Sequence, residues 1–238
     1  MDKKKYLITG GQGKLGSELR NILSCIAPIK EEMNILSLEQ LETTVRTSRV
    51  NAILHLAAIS DQRRADKNRL LSYQVNVIGT RNVAMMAEKY GLKLFYISTD
   101  YVFPGTVGDY SEDSVPDPAN WYGYTKYAGE LEIHSATNNF CIIRTSFRPS
   151  EWGFPTAYTN VYTTADYTDV IAKEILSSLE CDLEGVIHIG TPVKTFYELA
   201  KRRNSSVKPE VCADESFPKR RNLNISRWLQ EKKKRGSQ

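Results

Sequence analysis

Tyr122 and Lys126 stand four residues apart in a stretch, Tyr122 to Ala136, that reads as a helix. At that spacing two side chains share one helix face. An ammonium beside a phenol favours the phenolate and draws the phenol pKa down from about 10. A tyrosine tuned in this way passes a proton to or from an alcohol or ketone oxygen near neutral pH. Ser98 and Thr99 end the apolar run that precedes this helix, so a hydroxyl is available to the same oxygen. The pair alone is a common accident of solvated helix faces. Tyr124 and Tyr127, on the same helix, have no lysine four residues on.

Proton donation to a carbonyl becomes useful when a hydride arrives with it. The start of the chain, "KKYLITGGQGKLGSELRNIL", carries a pattern for a hydride carrier. An apolar run, Tyr6-Leu7-Ile8, leads into Gly10, Gly11, Gln12, Gly13, Lys14, Leu15 and Gly16, and an amphipathic stretch follows to Leu23. A single glycine would serve a tight turn with positive φ. Three at a spacing of three, between a strand and a helix, fit a dinucleotide loop. Gly10 closes the turn, Gly13 lets the backbone approach a pyrophosphate, and Gly16 lets the helix pack on the strand. The helix N-terminus then offers free N–H groups to the phosphates.

The elements that must position these groups alternate along the chain. "CIAPI" is a weak second strand, and Ser37 to Thr47 a helix with Ser37 and Gln40 in capping-box positions. Ala52 to Ala58 is a buried third strand. Tyr73 to Gly91 is a helix with an apolar stripe at Val77, Val83, Met86 and Ala87, and Lys93 to Thr99 a fourth strand. After the Tyr122 helix come the strand "FCIIRTS", a helix from Asp169 to Leu179, the strand "GVIHIG", a helix over Phe196 to Arg202 and a short end helix around Trp228. This order predicts an α/β fold: a doubly wound parallel sheet with helices on both faces and ligands at the C-terminal strand ends. Past Arg144 the texture turns to proline, glycine and aromatics. The expected division is a dinucleotide-binding domain over 1–147 and a small substrate-binding lobe over 148–238, partly interleaved with the sheet.

Composition narrows the classes further. The 238 residues are 41% hydrophobic and 25% charged, which suits a globular chain with a real core. No apolar run reaches the roughly 20 residues of a membrane span, and the first strand is too short for a signal-peptide core. Cys25, Cys141, Cys181 and Cys212 form no CxxC pair, which fits a reducing, cytoplasmic setting without a metal site. The net charge of +4 gathers at Lys3 to Lys5 and in "EKKKRGSQ". No aromatic pattern interleaves those ends, so they read as solvated, with no nucleic-acid partner. His55 and His188 lie in apolar strands and read as satisfied core residues. Asp166 and Asp169 read as the start of a helix, and Arg220 and Arg221 as a basic face or a contact for a diphosphate.

Taken together, "TGGQGKLG", "LHLAA", "NVIGTRNV", "YISTDYVFPGT", "YSEDSVPDPANWYGYTKYAGE" and "IIRTS" resemble the extended short-chain dehydrogenase/reductase family. Within it the resemblance is to the dTDP-4-dehydrorhamnose reductase group. It is strong over about residues 4–147 and weaker beyond. It implies a Rossmann sheet, NAD(P)H and a small-molecule substrate, a nucleotide-linked 4-keto-6-deoxy-sugar. Thr99 then matches the catalytic Ser/Thr, Tyr122 the proton donor, and Lys126 the lysine that holds the nicotinamide ribose. Ala57 and Ala58 would line the cofactor cleft, and Asn76 matches the family's helix asparagine, as a buried amide or a proton relay. Asp100, Tyr101 and Arg220 would meet the substrate. The chain departs from the family after its second strand, where Lys30 replaces the usual acid and Asn34-Ile35 replaces Asp-Ile. A lysine there suits a 2′-phosphate and leans the cofactor toward NADPH over NADH. The segment after "RTS" reads as shorter than in the family.

Three functions remain open from the sequence. The first is NAD(P)H-dependent 4-keto reduction. The second is a bifunctional 3,5-epimerase/4-reductase acting on a UDP-linked sugar. The third is a cofactor-binding regulatory subunit without turnover, like the beta subunit of methionine adenosyltransferase. A homodimer is also left open.

Overall fold

Alternation along four buried strands decides the architecture. Tyr6, Ile8, Leu54, Phe95, Ile97, Cys141 and Ile143 point to one face, where they meet Leu15, Leu19, Ile171, Ile175, Leu179 and Trp228. Leu7, Ile53, Leu94, Tyr96 and Ile142 point to the other, against Leu41, Val45, Val83, Met86 and Ile133. Each strand is therefore apolar on both faces, as a parallel sheet between two helix layers requires.

The computed structural model describes residues 5–181 and 183–236. Lys3, Lys4, Ser237 and Gln238, at the two basic ends, lie outside the described residues. The first half runs β1 Tyr6–Thr9, α1 Lys14–Ile22, β2 Cys25–Ile26, α2 Leu38–Ser48, β3 Ala52–His55, α3 Gln62–Lys67, α4 Arg69–Tyr73, α5 Gly79–Lys89 and β4 Lys93–Thr99. It continues through α6 Trp121–Ala136, β5 Phe140–Thr145, β6 Phe147–Arg148, β7 Thr156–Tyr158, β8 Tyr162–Thr163, β9 Asp166–Tyr167, α7 Thr168–Leu179 and β10 Gly185–His188. The chain then forms β11 Lys194–Thr195, α8 Phe196–Lys201, β12 Lys208–Glu210 and α9 Ser226–Gly236. Six strands pair in parallel in the order β10-β5-β4-β3-β1-β2. The order reverses beside β1, which places a crevice between the C-terminal ends of β1 and β3.

Residues past 147 divide between the sheet and a flanking lobe. β10 extends the sheet beyond β5, α7 packs on α1, and Trp228 of α9 is fully buried in the core with its indole N–H donating to Glu174 Oε2 at 2.9 Å. The lobe consists of short two-stranded pairs, β11 with β8, β12 with β7 and β6 with β9, together with α8. Its last segment is clipped onto the loop after β4. Arg220 N donates to the Gly105 carbonyl at 2.8 Å, Asn224 N to the Tyr110 carbonyl at 2.7 Å, and Tyr110 N to the Asn222 carbonyl at 3.3 Å.

Local details differ from the sequence reading for physical reasons. The third strand ends at His55, because the chain leaves the sheet to line the crevice with Leu56, Ala57 and Ala58. The helix read over Tyr73 to Gly91 contains a π-helical turn, Gln74–Ile78, around Asn76. Ser37 caps α2 by accepting from Gln40 N, but the Gln40 side chain accepts from Asn34 N, so no reciprocal box closes there. The box forms instead at Thr195 and Glu198.

His55 and His188 are fully buried. His55 Nε2 donates to Thr80 Oγ1 at 3.0 Å, since the Thr80 hydroxyl itself donates to the Asn76 carbonyl; Nδ1 accepts from Thr9 Oγ1 at 2.6 Å. His188 Nδ1 donates to the Tyr110 carbonyl at 3.0 Å. Burial, aided by Lys126 for His55 and Arg144 for His188, pushes both imidazoles down to about 3. The unfolded chain protonates them near 6.5. Their contribution is therefore complete above pH 6.5 and is lost as pH falls from 6.5 toward 3. Calorimetry should show a Tm that declines steadily below about pH 6. A His188→Asn variant should start from a lower Tm and lose part of that slope. A slope as steep as the parent's removes His188 from this account.

Candidate active site

The crevice is a cleft of about 730 Å³. The loop after β1 forms one wall. Gly10 has φ of +70°, and a β-carbon there would lie 2.6 Å from Ala57 N, so both conformation and packing demand glycine. A β-carbon at Gly16 would lie 2.5 Å from the Gly10 carbonyl oxygen. Gly13 is different. It is exposed on the cleft wall, and a β-carbon on it would meet the protein only at the Gly10 carbonyl oxygen, 3.3 Å away. Nothing in the protein's own packing explains that glycine, which leaves the backbone open toward the cleft. Gly13 is also the N-cap of α1, where no side chain caps the free amides. An uncapped helix start beside a glycine cradle fits a dinucleotide diphosphate.

A buried polar chain ties this wall to the opposite one. Ala57 N donates to Thr9 Oγ1, and Thr9, His55, Thr80 and the Asn76 carbonyl follow in sequence. The Asn76 side chain accepts from Ile59 N at 2.8 Å and donates to the Ile59 carbonyl and to Thr125 Oγ1. Every polar atom of that amide is engaged, so Asn76 acts as a structural pin for the loop after β3 and for α6. Thr125 in turn donates to the Tyr122 carbonyl at 2.9 Å.

The second wall carries Thr99, Tyr122 and Lys126. Asn120 caps α6 by accepting from Gly123 N at 2.8 Å. A β-carbon at Gly123 would overlap the Tyr101 carbonyl, and one at Gly129 would lie 2.6 Å from the Tyr96 hydroxyl. These two glycines let α6 press on β4 and on the turn that follows it, which brings Tyr122 and Lys126 to the cleft beside Thr99. Thr99 Oγ1 donates toward Asp100 Oδ1 at 3.3 Å and accepts from Tyr101 N at 3.3 Å, and its hydroxyl acts on the neighbouring Tyr122 phenol. The Tyr101 and Tyr122 rings meet edge to face at 6.1 Å.

The electrostatics correct one expectation. The spacing predicts a Tyr122 that titrates below an ordinary phenol; burial instead raises it, with Asp100 and Tyr101 adding to the rise and the Thr99 hydroxyl opposing it. Lys126 is itself 3% exposed, its Nζ stands 3.8 Å from the centre of the Tyr96 ring, and burial draws it down to about 7. Tyr122 is therefore protonated throughout the neutral range, the form that a proton donor needs.

The cleft gathers Gly10 to Gly16, Lys30, Asn34, Ile35, Ala57, Ala58, Thr99, Tyr101, Tyr122 and Lys126. The Asn34 side chain accepts from Leu36 N at 3.0 Å, and Lys30 is exposed on the rim. Asp100 is buried beneath the cleft, 1% exposed. Arg220 is not brought to it: that side chain is exposed with its guanidinium 5.1 Å from the Tyr162 ring. Its neighbour Arg221 is 3% exposed, lies 4.2 Å over the Tyr101 ring, and leaves Nε and Nη1 without a hydrogen-bond partner in the protein. Arg148, on the cleft wall, faces the same place. Its charge and that of Arg221 both pull Asp100 down against a burial that raises it, and Arg221 in turn lowers Arg148. Sequence reasoning missed Arg148 altogether, and no local pattern marks it. Among the described residues, no group of three or more His, Cys, Asp or Glu could hold a metal, and no helix is long and apolar enough to cross a membrane.

The profile of the family described as "RmlD substrate binding domain" matches residues 4–151. The methionine adenosyltransferase 2 subunit beta of Xenopus laevis is 31% identical over 153 residues, 59% of this chain and 46% of that protein. The dTDP-4-keto-6-deoxy-D-glucose reductase of Streptomyces niveus is 27% identical over 231 residues, covering 83% of this chain and 76% of that one. The chain spans about half the length of several curated relatives that it matches. Among solved structures, the dTDP-4-dehydrorhamnose reductase of Bacillus anthracis, in complex with NADP, superposes with a TM-score of 0.83 at 27% identity and covers 98% of each chain. The fold is Rossmann-like.

Proposed function

We infer the function from one premise: the chain belongs to the RmlD substrate binding domain family. We propose that it reduces the 4-keto group of a nucleotide-linked 4-keto-6-deoxy-sugar with NADPH or NADH. One observation carries the reading: Thr99, Tyr122 and Lys126 open onto the same cleft as the Gly13 cradle. The dinucleotide supplies the hydride when bound. Gly10 to Gly16 and the start of α1 hold its diphosphate, Ala57 and Ala58 flank it, and Lys30 on the rim favours a 2′-phosphate. Thr99 hydrogen-bonds the substrate oxygen. Tyr122 gives its phenolic proton to that oxygen as alkoxide character develops; an alkoxide is a far stronger base than a phenolate, so the transfer runs downhill even from a phenol titrating above 10. Lys126 supplies positive charge on the same helix face.

Arg148 and Arg221 suit the other half of the substrate. Two guanidiniums lie within electrostatic reach of one buried carboxylate, Asp100, which leaves a positive excess beside the cleft. A nucleotide diphosphate supplies the missing negative charge. Arg221→Met should raise the KM for the sugar about 10- to 100-fold, the scale of a lost charged hydrogen bond, with the Kd for NADPH unchanged. An unchanged KM would take Arg221 out of the substrate site.

The function itself is tested by NADPH oxidation with the keto-sugars made from dTDP-glucose and from UDP-glucose by a 4,6-dehydratase. Turnover with either supports the reading, and product analysis on the UDP sugar separates a plain reductase from an epimerase/reductase. The identity to a methionine adenosyltransferase subunit favours a second reading, a cofactor-binding partner protein. Tight NADPH binding without turnover on either sugar selects that reading. If calorimetry detects no dinucleotide binding at all, both fail.

A further inference from the structure

We propose that Glu130 is a positioning residue for the site: with Ser98 and Arg144 it forms a buried bracket that locks the Thr99 strand to the Tyr122–Lys126 helix and sets a negative charge beneath Lys126. The proposal rests on the reductase reading for its catalytic consequence.

Three elements meet at one carboxylate. Ser98, the residue before Thr99 in β4, donates to Glu130 Oε1 at 2.5 Å. Arg144 of β5, in register with Ser98, donates from Nε to Oε1 at 3.1 Å and from Nη2 to Oε2 at 2.7 Å. Both charged side chains are nearly sealed, Arg144 at 4% exposure and Glu130 at 1%. Lys126 lies one helical turn before Glu130 on α6.

Stability alone is a poor reason for this pair. Buried ion pairs can often be replaced by apolar side chains at no cost, because desolvation offsets their attraction. Position is a better reason. The bracket joins Ser98 to α6, so the Thr99 hydroxyl and the Tyr122 phenol cannot slide apart without breaking it. It also bears on the charge of Lys126. Facing Lys126 are His55 from β3, held neutral, and Tyr96 from β4, whose phenol burial keeps protonated. Tyr122, on the same helix, is likewise neutral, and Arg144 from β5 stands behind Glu130. Among these groups Glu130 brings the negative charge, and it opposes the burial that strips Lys126 of its proton.

The test replaces the pair without orphaning a charge, as Glu130→Gln/Arg144→Met and as Glu130→Gln/Arg144→Gln. The Lys126 titration is read from ¹³C-lysine NMR, assigned by the signal that Lys126→Met loses. The Kd for NADPH is followed across pH, and Tm is recorded for each variant. The expected result is a Lys126 midpoint lower by about one pH unit, and a pH limit for NADPH affinity that moves down with it. An unmoved midpoint with a lowered Tm overturns the proposal and leaves the pair a plain structural tie. The NMR readout holds even if the protein reduces no sugar, so failure here is distinct from failure of the reductase reading. If neither double variant folds, Ser98→Ala carries the test. Its kcat should fall about tenfold with the NADPH Kd unchanged, and an unaltered kcat overturns the bracket.

Discussion

Tyr122→Phe should slow reduction of a nucleotide-linked 4-keto-sugar by about 100-fold or more while leaving the fold and the Kd for NADPH intact. The ring is retained, so its edge-to-face contact with Tyr101 persists. The hydroxyl removed is the one beside the Thr99 hydroxyl, which opposes the rise of the phenol pKa. Its absence deprives the nascent alkoxide of its proton donor, and the loss should fall on kcat and on kcat/KM alike. Because burial raises the phenol, no deprotonation of Tyr122 should limit the parent's rate anywhere between pH 6 and 9. Stopped-flow traces of NADPH oxidation would decide the matter. If Tyr122→Phe consumes NADPH as fast as the parent, the proton donor is another group.

Gly13→Val should abolish dinucleotide binding, and with it all turnover, in a protein that still folds. A β-carbon on Gly13 meets only the Gly10 carbonyl oxygen at 3.3 Å, a contact that yields with a shift of a few tenths of an ångström. The valine methyls would stand where the diphosphate must approach the backbone. Gly10→Ala and Gly16→Ala are the contrast, since each would strike backbone atoms at 2.6 Å or less and should lower Tm as well. Isothermal titration with NADPH and thermal melts separate the two effects. A Gly13→Val protein with a parental Tm and a parental Kd would move the diphosphate elsewhere.

Much of this site was legible in the sequence because its parts are local. The glycine loop follows a strand within a few residues, and Tyr122 and Lys126 are one turn apart on a helix whose cap, Asn120, lies two residues upstream. The alternation of strands and helices carried the sheet for the same reason. What local pattern cannot show is burial. The spacing of Tyr122 and Lys126 pointed to a lowered phenol pKa, but desolvation of the phenol reverses the direction, with Asp100 and Tyr101 of the turn after β4 adding to the rise. Arg148 was hidden in another way, while Arg221 was read only together with Arg220, as a basic face or a diphosphate contact. Arg148 and Arg221 stand over 70 residues apart in the chain, and the carboxylate on which both charges act belongs to a third segment. Arg220 and Arg221 are adjacent in sequence and opposite in fate, one exposed and one buried, and only the clip onto the loop after β4 decides which is which.

That clip also orders events in time. Residues 105–110 and 220–224 pair across more than 100 residues of chain, whereas β1, β3 and β4 meet over roughly half that distance or less. Closing so long a loop is entropically expensive, and contacts of that separation tend to form late. A folding chain should therefore complete its cradle for the dinucleotide before it raises the arginine wall, and pass through a stage able to hold a cofactor but blind to the sugar. Pulse-labelled hydrogen exchange would show this as amide protection in β1, β3 and β4 ahead of protection at Tyr110 and Asn224; simultaneous protection would mean that the two halves of the site are born as one.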